Sequence, residues 1–455
     1  MPYLARRPIA IDLFAGAGGF SLGIEQAGFD VAVAVEQDPV HAAVYAFNFP
    51  HTKVLRADVS TLSGRAIADA VSLWVSQNGQ DKSWDGKIDL VFGGPPCQGF
   101  SMIGKGLVDD VRNNLVFEFC RLVKELQPRY FAMENVPGLC RNKYSSVLNR
   151  LLNEFKAVGY EITEPLQILN AANFGVPQKR QRLFLLGAKV GCRTLAYPEP
   201  ELREGLGLGT VGAASAFKRS KARLSRKESP SQYITVRDAI ADLPNLDDFA
   251  ELHSYDCLQL TAAQLHEIEA SATLYVKKLR DLISDRHNFA YLRQWNPQQL
   301  TSSMQTHHGE IAIERFNQTP PGKLEPISRL RRLSWNKPCY TLRAGTGYER
   351  GSYTSPRPIH PHYPRVISVR EAARLHSFPD WFRFHTTKWH GFRQVGNAVP
   401  PLLARALGRQ ILTVMEVEPS IPTATLQQGD SQLLTFTLLK ASNYWKALES
   451  QLPPD

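Results

Sequence analysis

The sequence contains few cysteines and no long apolar run. Its 455 residues include six cysteines, and none of these forms a Cys-x-x-Cys pair. This scarcity argues against a zinc ribbon and against a disulfide-stabilised scaffold, and it favours a reduced, intracellular setting. Because no apolar stretch is long enough for a helix to cross a bilayer, an integral membrane protein is not expected.

Signals for secretion and for metal binding are also missing. The apolar stretch near the N-terminus contains Asp12 and turns glycine-rich within a few residues. It therefore predicts a buried strand rather than a signal peptide. His307 and His308 have no cysteine or acidic partner at ligand spacing, so no metal site is predicted.

The composition is that of a globular protein with a basic excess. Hydrophobic residues make up 43% of the chain and charged residues 21%, which excludes a mainly disordered protein. The length allows two or three domains. The net charge of +10 suits a nucleic-acid partner, but many basic proteins bind no nucleic acid, so charge alone does not decide the partner.

Strand-like and helix-like segments alternate in the first part of the chain. Leu115, Phe119, Leu122 and Leu126 recur at helical spacing and indicate one buried helix face. The continuous apolar run at 31–35 is typical of a parallel strand buried on both faces. This alternation predicts an α/β fold with a doubly wound, mostly parallel sheet. The predicted strands are 9–14, 31–35, 53–55, 88–92, 130–133 and 183–186.

Glycines, acids and one cysteine follow the predicted strands directly. Ligands of such sheets bind beyond the carboxyl ends of the strands, so these residues should gather at one edge and form one site. They are Gly16-Ala17-Gly18-Gly19, Glu36, Asp58, Pro95-Pro96-Cys97 and Glu134-Asn135.

The glycine turn predicts a nucleoside site. In Gly16-Ala17-Gly18-Gly19 the last two glycines are adjacent, unlike the Gly-x-Gly-x-x-Gly spacing of a pyrophosphate site. Glu36 is placed to accept hydrogen bonds from ribose hydroxyls, and Phe14 to pack against an adenine. A nucleoside without a pyrophosphate fits better, and S-adenosylmethionine is the first candidate. A nicotinamide-dependent oxidoreductase is the alternative on the same sheet.

Cys97 stands apart from the other cysteines. Pro95 and Pro96 stiffen the backbone just before it, and the loop lies at the expected ligand edge. A free thiol has a pKa near ~8.5, so a few per cent is thiolate at neutral pH. Cys97 is therefore the candidate nucleophile. The remaining cysteines are expected to be structural: Cys120, Cys140, Cys192, Cys257 and Cys339.

Five blocks of sequence match one family in order. They are residues 12–23, 93–101, 134–136, 178–182 and 396–400. Together they resemble the conserved blocks of DNA (cytosine-5)-methyltransferases of the prokaryotic restriction–modification or solitary type. The resemblance covers about 1–190 and 366–415. It implies a Rossmann-like methyltransferase domain with a smaller, mostly irregular target-recognition domain.

The resemblance also implies a covalent mechanism. Cys97 would attack C6 of cytosine, which makes C5 nucleophilic enough to accept a methyl group from S-adenosylmethionine. Glu134 would donate a proton or hydrogen bond to N3. Arg182 is favoured as the residue that holds the base, and Arg180 as the one that orients its loop. The group that removes the C5 proton is not identified.

A set of cofactor-binding residues follows from the same resemblance. Asp58 is expected to contact the adenine amino group and Leu115 to pack near the cofactor. Asn397 lies in the block that returns late in the chain to complete the pocket. The full set is Phe14, Ala15, Gly16, Gly18, Gly19, Glu36, Asp58, Pro96, Leu115, Asn397 and Ala398.

Four regions are expected along the chain. A catalytic domain spans 1–190, and a target-recognition domain spans 191–365. A return segment at 366–415 completes the catalytic domain. The last region, 416–455, is interpreted as a peripheral extension without an assigned role. A basic insert within the recognition domain, near residues 201–230, is either a flexible solvated segment or a contact to the DNA backbone.

The target cytosine lies inside a duplex, so it must be flipped out and the duplex held. Residues 315–365 carry a net charge of +8 and several aromatics, and they are expected to grip the DNA. The eight acids of 238–276 should face away from it. The pattern of residues 368–375 predicts an amphipathic helix with a capping box. Candidate DNA contacts are Gln98, Ser101, Arg343, Arg350 and Arg357.

Two further alternatives stay open on the sequence alone. A tRNA cytosine-5 methyltransferase shares this chemistry, although the large recognition segment favours duplex DNA. A DNA-binding module without catalysis would not need Cys97, Glu134 and Arg182. The expected partner is double-stranded DNA, with a cognate restriction endonuclease linked genetically but not physically. A monomer in the cytoplasm, associated with the nucleoid and not with a membrane, is expected.

Overall fold

A computed structural model describes residues 7–78, 84–96, 114–202, 233–346 and 357–450. Several predicted positions lie outside these ranges. They are Cys97, Gln98, Ser101, Arg350 and most of the basic insert near 201–230.

The first part of the chain alternates strands and helices. Its strands are β1 (Ile9–Leu13), β2 (Asp30–Val35), β3 (Lys53–Leu55), β4 (Leu90–Gly93), β5 (Tyr130–Asn135), β6 (Tyr160–Ile162), β7 (Gln167–Asn170), β8 (Gln178–Lys179) and β9 (Gln181–Lys189). Its helices are α1 (Gly19–Ala27), α2 (Pro39–Asn48), α3 (Gly64–Gln77), α4 (Leu115–Leu126) and α5 (Ser145–Ala157).

One sheet organises these elements. Its strand order is β3-β2-β1-β4-β5-β9-β6, and β7 also pairs with β9. Strands β1 to β5 are parallel, whereas β9 runs antiparallel to β5. The prediction of a Rossmann-like, mostly parallel α/β sheet is therefore confirmed.

Helices cover both faces of the sheet. Alternate residues of β1 point to opposite sides: Ile9 and Ile11 pack with the buried faces of α3, α4 and α5, and Ala10 packs with α1. Burial on both sides explains why β1 and β2 are buried along their whole length. The predicted helix at Leu115–Leu126 forms as expected, with Phe119, Leu122, Val123 and Leu126 buried.

The second part of the chain has shorter elements. It contains α6 (Val236–Ile240), β10 (Leu258–Gln259), α7 (Ala262–Ser271), α8 (Leu274–Leu279), β11 (Leu292–Gln294), β12 (Gln299–Leu300), α9 (Glu310–Gln318), β13 (Cys339–Tyr340), α10 (Val369–Leu375), α11 (Lys388–Asn397), α12 (Pro401–Met415), β14 (Thr425–Gln427) and α13 (Leu438–Glu449). Within the described ranges, no helix combines the length and low polarity that a membrane span requires.

Part of the predicted recognition region packs directly on the main sheet and α1. Arg293 in β11 pairs with Glu25 in α1 at 2.9 Å, and both side chains are fully buried. The Tyr291 hydroxyl donates to Asp30 at the start of β2. The chain from about residue 288 to 294 is therefore joined to the core of the first region.

Helix α10 is not amphipathic, contrary to expectation. Its capping box forms between Ser368 and Glu371, but all seven helix residues are buried. The polar side chains are compensated by ion pairs: Arg374 lies 2.6 Å from Asp242 and 2.7 Å from Asp380, and Glu371 lies 2.8 Å from Arg365. Polar residues at helical spacing here mark a buried network rather than a solvated face.

The same network corrects the expected charge map. Asp242 belongs to the acidic stretch that should face away from DNA, yet it is buried against Arg374. Arg365 and Arg332 belong to the basic stretch, yet both are buried, and Arg332 donates to the carbonyls of Phe316 and His362. Part of the net charge of +8 in residues 315–365 thus stabilises the fold and does not face a ligand.

The buried pair of Glu371 and Arg365 makes stability depend on pH. Burial alone would raise the pKa of Glu371, but Arg365 and His360 outweigh it and lower the pKa to about 2. Because the folded pKa lies below the unfolded value, the stabilisation is complete above about pH 4.5 and is lost as the pH falls toward 2. We expect it to be worth about 3 kcal/mol.

Denaturant unfolding of the wild type and Glu371→Gln at pH 7 and pH 3 tests this expectation. The stability difference between them should shrink markedly at the lower pH. Glu154→Gln, which breaks an exposed pair with Arg150 on α5, should change little at either pH. An equal loss of stability in Glu371→Gln at pH 7 and at pH 3 would contradict the role assigned to this ion pair.

The C-terminal extension is not peripheral, which corrects the sequence interpretation. Leu433 and Leu434 are buried in one cluster with Ala17 of the glycine turn and with the apolar face of α2. The Trp445 indole in α13 donates to the Pro39 carbonyl at the start of α2. The extension therefore supports two elements next to the predicted cofactor pocket.

Candidate active site

The glycine turn after β1 is held by Glu36. Phe14 (φ 68°) and Gly16 (φ 58°) both adopt the left-handed conformation, which is uncommon for a phenylalanine and marks a constrained turn. The Ala15 amide donates to the Val35 carbonyl of β2 at 3.0 Å, and the Gly16 amide donates to Glu36 Oε2 at 2.7 Å. The turn and the acid are thus one unit.

Glu36 and Asp58 lie at neighbouring strand ends, as expected. Glu36 Oε1 accepts a second hydrogen bond from the Asp38 amide, and burial raises the pKa of Glu36 while His41 opposes that rise. Asp58 follows β3 and accepts from the Gln37 side chain at 2.9 Å. Asp58 is therefore held by the residue that follows Glu36 in the chain.

The return segment closes on the glycine turn. A Cβ added to Gly19 would lie 2.8 Å from the Ala398 Cβ and 2.7 Å from the Val399 carbonyl, so only glycine allows this approach. Asn397 ends α11 and is exposed at the same place. Leu115 begins α4 and is half-buried against the core.

A buried polar chain that the sequence prediction did not assign lies beneath the turn. Asp12 in β1 is 1% exposed and accepts from the Ser21 hydroxyl at 2.5 Å, which in turn accepts from Tyr45. Burial raises the pKa of Asp12 well above its usual value. The only indication of this polar chain in the sequence is that Asp12, an acidic residue, lies inside an apolar strand.

Two of the predicted catalytic residues, Glu134 and Arg182, form an ion pair. Arg182 Nε lies 2.5 Å from Glu134 Oε1, and their side chains are 14% and 13% exposed. Antiparallel pairing of Asn135 with Leu183 places Arg182 beside the end of β5. The pair is therefore sheltered but accessible to a ligand.

The loop toward Cys97 starts beside this pair. A Cβ added to Gly94 would lie 2.9 Å from Glu134 Oε2, and the Asn135 side chain donates to the Pro95 carbonyl at 3.4 Å. Pro96 is exposed. Cys97 itself lies outside the described residues, one position further along the chain.

Arg180 has surroundings different from those of Arg182. It is 1% exposed and donates to the carbonyls of Leu342, Gly396 and Ala398 at 2.9–3.0 Å. Gln178, to which no role was assigned, is fully buried and accepts from the Leu342 amide. Its place at the start of the matched block 178–182 was the available signal.

The predicted DNA-contacting arginines differ in exposure. Arg343 is exposed in the turn after β13, and this turn reaches the return segment: a Cβ added to Gly396 would lie 2.4 Å from the Ala344 amide nitrogen. Arg357 is half-buried, donates to the Thr306 hydroxyl and stacks on Phe392. Arg343 is the more accessible of the two.

The described residues contain no cluster of three or more histidine, cysteine or acidic side chains suited to a metal ion. The two histidines noted in the sequence have other contacts. The His307 ring packs at a tilt against His253, and the His308 ring packs edge-to-face with Phe316 while accepting from the Val366 amide.

The profile of C-5 cytosine-specific DNA methylases matches residues 9–413. The chain belongs to this family. Type II methyltransferase M.XorII of Xanthomonas oryzae pv. oryzae is 44% identical to this methylase over 436 residues, 96% of this chain and 92% of that protein. Type II methyltransferase M1.HphI of Haemophilus parahaemolyticus is 33% identical and covers 88% of this chain and 86% of that protein.

A solved structure agrees with these matches. It is described as a candidate DNA modification methyltransferase encoded within an E. coli prophage. It is 32% identical, with a TM-score of 0.64, and the match covers 90% of this methylase and 99% of that chain. The enzyme is a DNA (cytosine-5)-methyltransferase, and the alternative of a nicotinamide-dependent oxidoreductase is wrong.

Proposed function

We propose that this methylase transfers a methyl group from S-adenosylmethionine to C5 of a flipped-out cytosine in a specific duplex sequence, through a covalent bond between Cys97 and C6. The observation that carries the proposal is the Arg182–Glu134 pair at the carboxyl edge of the sheet. It lies beside the loop that leads to Cys97, on the same edge as the glycine turn.

The donor pocket fits a nucleoside with a small charged tail. Glu36 already accepts two backbone amides and keeps lone pairs for ribose hydroxyls. Asp58 lies next to it, and Phe14 supplies an apolar surface. Asn397 and Ala398 would close the opposite side. When bound, S-adenosylmethionine supplies a methyl group that its positive sulfur makes electrophilic.

The base pocket supplies the nucleophile and the polar contacts. The Cys97 thiolate forms a bond to C6, and the ring electrons move toward C5 and N3. Glu134 donates a proton or hydrogen bond at N3, and Arg182 holds Glu134 and the base carbonyl oxygen. Transfer of the methyl group to C5 would leave S-adenosylhomocysteine as the leaving group. A base would then remove the C5 proton, the electrons of that bond would restore the C5–C6 double bond, and Cys97 would leave C6 as the thiolate.

Duplex DNA is the proposed substrate, and the exposed Arg343 turn is the proposed contact nearest to the site. Several relatives are named type II methyltransferases. We therefore propose a place in a restriction–modification system, with the endonuclease encoded alongside rather than bound. We expect a monomer that acts at the nucleoid in the cytoplasm.

Bisulfite sequencing of a plasmid from cells that express this chain tests the function. Protected cytosines at one short recurring sequence are expected, which gives the base, the strand and the site together. Bisulfite sequencing of tRNA from the same cells is the parallel measurement. Protection of tRNA with an unmodified plasmid would replace the proposal by the tRNA alternative.

Glu36→Gln should weaken donor binding selectively. A glutamine has one acceptor oxygen, so it leaves either the Gly16 amide or the Asp38 amide unpaired and offers a poorer acceptor to ribose. A loss of about 1–3 kcal/mol corresponds to about 5–150-fold in the donor Kd. Calorimetric titration with S-adenosylhomocysteine measures this change, and the DNA Kd should stay within about 2-fold. Weaker DNA binding with an unchanged donor Kd would contradict the assignment.

A further inference from the structure

His376 connects two parts of the site that the sequence prediction treated separately. It follows α10 and is fully buried. Its Nδ1 lies 2.8 Å from Gln178 Nε2, and its Nε2 lies 3.0 Å from the Ala398 carbonyl oxygen. Both ring nitrogens are therefore engaged, one by each neighbour.

The neighbours determine the form of the imidazole. Gln178 Oε1 accepts from the Leu342 amide, and Gln178 Nε2 also donates to the Leu375 carbonyl, so the amide orientation is set and Nε2 faces His376 as a donor. Nδ1 must accept and Nε2–H must donate to Ala398. His376 is thus neutral, in agreement with burial and Arg180, which lower its pKa well below the usual value.

Ala398 receives a second donor from the same stretch of chain. Arg180 Nη2 donates to the Ala398 carbonyl at 3.0 Å and to the Gly396 carbonyl at 2.9 Å. Gln178 and Arg180 therefore hold the return segment together, one through His376 and the other directly.

The two ends of this connection carry different functions. On one side, Arg182 follows Arg180 by two residues and contacts Glu134 of the base pocket. On the other side, Ala398 packs against Gly19 of the donor pocket. The distance between the two pockets depends on how residues 178–182 sit against residues 396–398.

We infer that His376 is a positioning residue for methyl transfer, acting through Gln178 and Ala398 to set the donor pocket against the base pocket. The inference rests on the proposed function. Transfer between two bound reactants requires close alignment, and a shift of about 1 Å can cost about 10²-fold in rate. Loss of His376 should therefore slow transfer far more than it weakens either ligand.

Two variants separate the two hydrogen bonds of the ring. The side-chain amide of His376→Asn reaches only the position of Nδ1. This variant therefore keeps the hydrogen bond to Gln178 and loses the hydrogen bond to the Ala398 carbonyl. The side-chain amide of His376→Gln reaches the position of Nε2. This variant therefore keeps the hydrogen bond to Ala398 and loses the one to Gln178. His385→Gln is the matched control, because His385 is 4% exposed and both its nitrogens are also bonded, to Thr387 and to the Phe436 carbonyl.

The measurements are the single-turnover methylation rate, the Kd values for S-adenosylhomocysteine and for cognate duplex, and the Tm. Both His376 variants should lose about 10–100-fold in rate with Kd changes within about 3-fold. His385→Gln should lower the Tm by a similar amount and keep the rate within about 2-fold. Wild-type rates for both His376 variants, or rate losses no larger than that of His385→Gln, would overturn the inference.

A second route covers the case in which the His376 variants do not fold. Gln178→Met removes the partner of Nδ1 and leaves the imidazole in place. It should reproduce the rate loss of His376→Gln, and an unchanged rate would overturn the inference. A wild-type chain that methylates no DNA would contradict the proposed function itself, so the two failures are distinguishable.

Discussion

Cys97→Ser should lower the methyl-transfer rate at least about 10⁴-fold and leave the affinity for S-adenosylmethionine unchanged. A serine hydroxyl stays protonated at neutral pH, so it cannot attack C6 as a thiolate does. The proposed donor pocket includes the glycine turn, Glu36, Pro96 and the return segment, and none of these contacts needs the Cys97 sulfur. A gel assay for the covalent DNA adduct and a radiolabelled methyl-transfer assay measure the two effects.

Cys192→Ser is the matched control for this change. Cys192 is a free, half-buried cysteine beyond the end of β9, and its replacement should leave the rate within about 2-fold. Normal turnover by Cys97→Ser would refute the covalent mechanism. Loss of donor binding in Cys97→Ser would instead indicate that the Cys97 side chain itself contributes to the donor pocket.

Glu134→Gln should cost about 10³-fold in rate. The substitution keeps the shape of the side chain but removes the group that can pass a proton to N3. It also removes the negative charge that holds Arg182 Nε at 2.5 Å, so the arginine loses its fixed position against the base. The effect should appear in the single-turnover rate, because neither change touches the donor pocket.

Glu161→Gln provides the comparison for Glu134→Gln. Glu161 lies in β6 of the same sheet and is exposed, where it accepts from Thr194. The single-turnover rate of Glu161→Gln should stay within about 2-fold of the wild-type rate. If Glu134→Gln raised the donor Kd and left the single-turnover rate unchanged, the role assigned to Glu134 would be wrong.

The sheet and its ligand edge could be predicted because both depend on local sequence. Continuous apolar runs determine strands that are buried on both faces, and β2 contains the predicted residues 31–35. The glycine turn and Glu36 adjoin strand ends, so the topology brings them together. The direction of β9 could not be predicted, because an apolar run does not indicate whether a strand pairs in parallel or antiparallel.

The polar network around α10 could not be predicted from local pattern. Asp242 and Arg374 are 132 residues apart in the chain, and nothing near either residue indicates its partner. Charge counting therefore placed Asp242 on a surface facing away from DNA, and the amphipathic prediction for residues 368–375 did not anticipate that Arg374 is buried. His376 was missed for the same reason, because its partners, Gln178 and Ala398, come from two distant blocks.

The packing of the C-terminal extension sets an order of events during synthesis. Leu433 and Leu434 pack in one cluster with Ala17, and the Trp445 indole donates to the Pro39 carbonyl. This part of the core is therefore complete only after residue 445 has been synthesised. We expect the cluster to form late, although β1 and α2 are synthesised early.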